Sequence, residues 1–143
     1  MPIAQVLLVD DEVPFVETMT KRLTKRDLQV VAAFSGKESL EKLKKIPEIE
    51  VVILDVKMPE MDGIETLREI KRNFPLTEVI MLTGHATVET GIEGMKLGAY
   101  DYLMKPCDIE NLLAKVKEAA AKKRSHEEKI IAARLKEITS RRP

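Results

Sequence analysis

Asp10, Asp11 and Glu12, then Asp55, then Thr83, then Lys105 each stand just after a short apolar run. If those runs are neighbouring strands, these side chains converge on one rim. Aspartates brought within a few ångströms repel one another and raise a carboxyl pKa unless a cation sits among them. Hard oxygen donors that leave positions for water and phosphate oxygens suit Mg²⁺. One carboxylate of such a set can remain free to attack phosphorus and give an acyl phosphate. A lysine ammonium and a threonine hydroxyl nearby neutralise and hydrogen-bond the transferred phosphoryl group. Asp10, Asp11, Asp55, Thr83 and Lys105 are therefore chemically complete for Mg²⁺-dependent phosphorylation of an aspartate.

The elements that must position them follow from periodicity. Val51 to Leu54 is wholly apolar, as a strand buried on both faces requires, so Asp55 emerges at the rim of a parallel sheet. In open α/β sheets that rim, at the carboxyl ends of the strands, is where ligands bind. Val6–Val9, Leu28–Phe34, Glu78–Leu82 and Tyr100–Met104 read as the other strands. Between them apolar residues recur at helical spacing. Phe15, Val16, Met19 and Leu23 mark the first helix, and Leu40, Leu43 and Ile46 the second. Ile64, Leu67 and Ile70 mark a third, capped by Asp62 and ended near Pro75. Val88, Ile92, Met95 and Ala99 form a fourth stripe, interrupted by Gly91 and Gly94. Ile109, Leu112, Leu113, Val116 and Ala120 face inward from a last helix that Asp108 caps. Five β-α units predict an α/β fold, a doubly wound five-stranded parallel sheet with five flanking helices.

The composition narrows the function classes. The chain has 143 residues, 44% of them apolar and 34% charged, enough for one domain with its own core. No apolar run approaches the ~20 residues of a membrane span. A lone cysteine, Cys107, excludes an internal disulfide and a cysteine metal framework, and points to the cytoplasm. From Lys122 onward eight Lys/Arg face three Glu, whereas the rest of the chain is acidic by the same margin. That basic segment reads as a solvated helix surface rather than a nucleic-acid site. Ile130, Ile131, Leu135 and Ile138 then return at helical spacing with no core sequence behind them. Residues 125–143 therefore read either as a basic tail that extends the last helix and mediates dimerisation or partner docking, or as a linker remnant of a longer architecture.

At this point the chain resembles the receiver domain of bacterial two-component response regulators, over about residues 1–124. The resemblance rests on Asp10-Asp11, Asp55, the Met58-Pro59 and Gly63 that follow it, Thr83, and Lys105-Pro106, in that order on alternating strands and helices. Leu82 to Glu89 and Gly98 to Tyr102 are further similar to receivers of NtrC-like regulators. It implies a flavodoxin-like strand order 2-1-3-4-5, with Asp55 as the phosphoacceptor and a histidine kinase or phosphotransfer protein as the donor. Asp11, Asp55 and the backbone carbonyl of Lys57 are implied as Mg²⁺ ligands, with Asp10 acting through water. Lys105 is implied as the partner of the phosphoryl oxygens, Thr83 as the hydroxyl that swings toward them, and Tyr102 as the coupled aromatic switch. The same resemblance implies a cis peptide before Pro106. It also implies that Lys57 and His85 stand where acyl-phosphate lifetime is tuned, and that a homodimer or a target protein uses the face of fourth helix, fifth strand and fifth helix.

Other readings compete. Tyr102 also reads as an ordinary strand residue with a wet hydroxyl, and Lys57 and His85 as solvated side chains. A dehalogenase-type phosphatase also uses an aspartate nucleophile with Mg²⁺, but needs a second aspartate two positions later. Glu12 and Lys57 occupy those positions here. A pure interaction domain would have no use for the intact acceptor, acidic pair, threonine and lysine. NtrC-like regulators continue into ATPase and DNA-binding domains, for which the sequence to Pro143 leaves no room, so a stand-alone receiver or an excised fragment is expected.

Overall fold

The computed structural model describes residues 2–140. Strand β3 (Val51–Leu54) is its centre. All four side chains are at most 1% exposed, which requires a strand on either side and a layer on either face. β1 (Ala4–Val9) supplies one neighbour and β4 (Glu78–Thr83) the other, with β2 (Leu28–Ala33) and β5 (Asp101–Met104) at the edges. The order is β2-β1-β3-β4-β5, with every pairing parallel. Expectation and structure agree in strand order and class.

Successive side chains alternate between two cores, as the pleat dictates. Val6, Leu8, Ile53, Ile80 and Leu82 meet α1 (Val13–Thr24) through Val16, Met19 and Leu23, and α5 (Ile109–Ser140) through Leu112, Val116 and Ala120. Leu7, Val9, Val52, Leu54, Val79 and Met81 pack on the opposite face. There Leu43 of α2 (Gly36–Lys45) and Leu67 and Ile70 of α3 (Gly63–Asn73) cover them. Ser35 and Asp62 cap α2 and α3 by accepting the N–H of Glu38 and Glu65 at 3.1 and 2.9 Å, each satisfying a donor that the first turn leaves open.

α4 (Val88–Lys96) departs from the sequence reading. Its apolar stripe points outward: Val88, Ile92 and Met95 are 78%, 52% and 48% exposed. Gly94 is its one buried residue, and the Tyr102 ring lies against Gly91 and Gly94. A short helix laid over an aromatic side chain needs small residues beneath it, so the glycines face the sheet and the apolar residues face away. Two strand ends also differ. Phe34 lies beyond β2 and is exposed, and Tyr100 precedes β5.

α5 runs without a break to Ser140, although its buried positions end at Lys123. At the sheet edge remote from the strands' carboxyl ends, Arg124 donates to Glu50 through Nε at 2.5 Å and Nη2 at 2.8 Å. Lys122 and Lys71 approach the buried Glu78 at 3.4 and 3.5 Å. Lys, Arg and Glu are good helix formers, so the polar stretch after Lys122 continues the helix instead of ending it.

Candidate functional site: a carboxylate cluster at the strand ends

Four adjacent strands deliver the site. Beyond the last ladder pair of β1 and β3, the Asp55 N–H donates to Val9 O at 3.0 Å, so Asp10 and Asp55 emerge side by side. Beyond β4 and β5, the Lys105 N–H donates to Thr83 O at 2.9 Å. Asp10, Asp55 and Thr83 are buried, whereas Asp11 is exposed. One oxygen from each of Asp10, Asp11 and Asp55 lies within 4.8 Å of the others. The structure thus brings together all of the rim residues expected from the sequence.

The electrostatics of the cluster favour a cation. Burial raises the Asp10 carboxyl above the ordinary carboxylate range, and the charge of Asp55 pushes the same way. A hydrogen bond from Lys105 and the N–H of Glu12 oppose that rise without cancelling it. Lys105 Nζ donates to Asp10 Oδ2 at 2.6 Å and stands 3.7 Å from Glu12 Oε1. Burial acts to lower the ammonium's pKa, but Asp10, Asp55 and Glu12 together raise it, so Lys105 is held charged. Asp55 Oδ1 accepts the N–H of Val56 at 2.8 Å, and its other oxygen has no donor among the described residues. Hard carboxylate oxygens at this mutual spacing fit a small divalent cation such as Mg²⁺.

The loop after Asp55 is braced from below. Gly63 donates to Val56 O at 2.6 Å, and a Cβ there would fall 2.1 Å from Asp55 O. Only glycine permits that approach. Asp11, Glu12, Lys57, Met58, Pro59 and His85 line a cavity of about 390 Å³ at the mouth of the site. Lys57 and His85 therefore flank it. Thr83 Oγ1 accepts the His85 N–H at 3.0 Å. The Lys105–Pro106 peptide is cis. Tyr102 is set apart from this group: it pairs in register with Met81, and its hydroxyl lies 2.6 Å from Thr90 Oγ1.

One participant escaped the sequence reading. The Phe15 ring lies under the Lys105 ammonium, 3.9 Å from Nζ to the centroid. Helical spacing identifies Phe15 only as part of the apolar stripe of the first helix. Its place in the first turn of a helix that starts at the acidic loop was the available signal.

Comparison with known proteins agrees with this geometry. Residues 6–117 match the family model described as the response regulator receiver domain. The chain belongs to that family. It is 40% identical over 116 residues to the transcriptional regulatory protein ZraR of Escherichia coli K12, covering 81% of this chain and 26% of that protein. To the regulatory protein AtoC of the same organism it is 36% identical over 110 residues, 77% of this chain and 24% of that one. The chain therefore spans about a quarter of these NtrC-like relatives. A receiver domain from Clostridium thermocellum superposes with a TM-score of 0.80 at 36% identity, covering 85% of this chain and 97% of that one. The receiver domain of NtrX from Brucella abortus gives 0.75 at 29% identity, covering 81% and 98%. Phosphorylation-dependent signalling in two-component systems is the general function of this receiver family. Among the described residues no helix is long and apolar enough to cross a membrane.

Proposed function

We propose that this receiver takes a phosphoryl group from the phosphohistidine of a sensor kinase or phosphotransfer protein onto Asp55. The observation that carries the reading is the clustering of the Asp10, Asp11 and Asp55 carboxylates within 4.8 Å, with the Lys105 ammonium bonded to Asp10. Asp11, Asp55 and the Lys57 carbonyl are the direct Mg²⁺ ligands in this reading, and Asp10 acts through water. When bound, Mg²⁺ neutralises charge on the carboxylates and on the phosphoryl oxygens. An Asp55 oxygen bonds to phosphorus as the phosphorus–nitrogen bond breaks, and the electron pair leaves with the imidazole. Lys105 pairs with the arriving phosphoryl oxygens, and the Thr83 hydroxyl moves from the His85 N–H to meet them.

The output follows from surface chemistry. Val88, Ile92 and Met95 of α4 and Met104 of β5 expose apolar side chains, and a partner or a second copy is the proposed cover for this α4–β5–α5 face. Tyr102 is the aromatic switch that couples it to the site. Residues 1–124 act as the receiver unit, and residues 125–143 as an appended segment whose exposed Ile130, Ile131, Leu135 and Ile138 join the association. Cytoplasmic placement follows from a kinase donor on that side of the membrane. No direct contact with nucleic acid is assigned.

Incubation with Mg²⁺ and acetyl phosphate, followed by intact-mass measurement, tests the reading. One added phosphoryl group is expected, absent in Asp55→Asn and without metal. An unmodified wild-type chain across several donors rejects it. Sedimentation of the full chain beside a variant lacking residues 125–143 tests the association, and equal masses at all concentrations reject that part.

A further inference from the structure

Phe15 is half-buried, packed against the edge of the core on one side and bordering the site on the other. Lys105 Nζ stands 3.9 Å from the ring centroid while bonded to Asp10 Oδ2 at 2.6 Å. The lysine side chain is 15% exposed, so its ammonium is largely withdrawn from water. In that setting the attraction between a cation and an aromatic face is strongest. Phe15, Met19, Leu82 and Pro106 lie beside the lysine stem around a cavity of about 310 Å³, and Arg22 and Cys107 complete its wall.

The two closest partners of the ammonium differ in one respect that matters for the reaction. Asp10 is a carboxylate of the metal cluster, so its bond to Lys105 competes with its duty to a cation. The Phe15 face attracts the ammonium and offers no oxygen to a metal. Glu12 is a weaker third partner, at 3.7 Å with a 59% exposed side chain. We propose that Phe15 is the positioning residue for Lys105. Its ring retains the ammonium at the strand ends when Asp10 turns to the metal, so that the charge is in place as phosphoryl oxygens arrive. This rests on the assignment of Asp55 as acceptor.

Replacement of Phe15 by mono-, di- and trifluorophenylalanine drains the ring face stepwise with little change of shape. The initial rate of Asp55 phosphorylation by acetyl phosphate at saturating Mg²⁺ is expected to fall stepwise, to about tenfold slower at the end of the series. Phe15→Leu should match the slowest member, and Phe15→Trp should retain the wild-type rate. A second measurement needs no phosphoryl group. The Lys105 ε-methylene resonances should be shifted upfield by the ring in metal-free protein, remain so after Mg²⁺ is added, and move to ordinary positions in Phe15→Leu. A flat fluorine series, or unshifted Lys105 resonances in the wild type, overturns the proposal. A wild-type chain that shows the upfield shift yet accepts no phosphoryl group overturns the acceptor assignment instead.

Discussion

The Tyr102 hydroxyl lies 2.6 Å from Thr90 Oγ1, and Thr90 is also half of the capping box that starts α4. Thr87 Oγ1 accepts the Thr90 N–H at 3.0 Å, while Thr90 Oγ1 accepts the Thr87 N–H at 3.1 Å. The side chain of β5 that this reading makes the switch is therefore tied to the first turn of the helix it would influence. Thr90→Val removes the hydroxyl while keeping the shape. It should cost about 1 kcal/mol, speed amide exchange across Val88–Met95 and free the Tyr102 ring. Thr90→Ser should preserve all three. Unchanged exchange in Thr90→Val would show that the bond does not hold the helix start.

Glycine substitutions should divide by location. At Gly91 and Gly94 a Cβ meets Tyr102 no closer than 3.8 and 3.7 Å, which is ordinary contact. Alanine at either position should stabilise the chain by about 0.5–1 kcal/mol in urea unfolding. At Gly63 a Cβ would overlap the Asp55 carbonyl, so Gly63→Ala should destabilise by about 3 kcal/mol and slow phosphorylation of Asp55. A Gly63→Ala chain as stable as the wild type contradicts the close packing of that loop.

Metal binding should be visible as stability without any phosphodonor. Mg²⁺ at tenfold its dissociation constant stabilises by about 1.4 kcal/mol, a rise of about 3–6 °C in Tm for a chain of this size. Asp11→Ala should abolish the rise, because Asp11 is the exposed member of the cluster and its loss spares the core. Sodium chloride at equal ionic strength is the control. An equal rise with either salt means that the cluster does not select a divalent cation.

Acid sensitivity should trace to the opposite edge of the sheet. Burial acts to raise the Glu50 carboxyl, but the Arg124 hydrogen bonds, the Gln5 N–H and the Arg124 charge hold it below its ordinary 4.5. The unfolded chain therefore binds the proton first as pH falls. The contribution of Glu50 is complete above about pH 4.5 and is lost as pH falls through the lower folded value. Arg124→Ala should lower Tm at pH 7 and flatten its fall below pH 4.5, and thermal scans across that range are the check. Parallel curves for the two proteins exclude this pair as the origin.

Strand order and the rim residues were legible because a buried parallel strand leaves little choice of sequence. Val51–Leu54 accepts only apolar side chains, and the first polar residue after it must stand at the edge. The direction of α4 was not legible in the same way. Val88, Ile92 and Met95 have the spacing of a buried stripe, and periodicity identifies a face without saying which side the sheet occupies. Tyr102 settles that by demanding the glycine side. The Phe15–Lys105 contact spans ninety residues of sequence, and apolar periodicity carries no information about which cation lies above a ring.

The unbroken course of α5 sets the mechanical reach of the molecule. Arg124 and Lys122 fasten the helix to Glu50 and Glu78, and from Arg124 to Ser140 it extends about 25 Å at the usual helical rise. With no loop in that span, any tilt at its base would be carried to the exposed end as by a lever arm. A tilt of about 10° where the helix leaves the sheet carries its tip by about 4 Å, a side-chain length. If the proposed switching beside Lys105 tilted α5, the length of that one helix would supply the amplification without a change of fold.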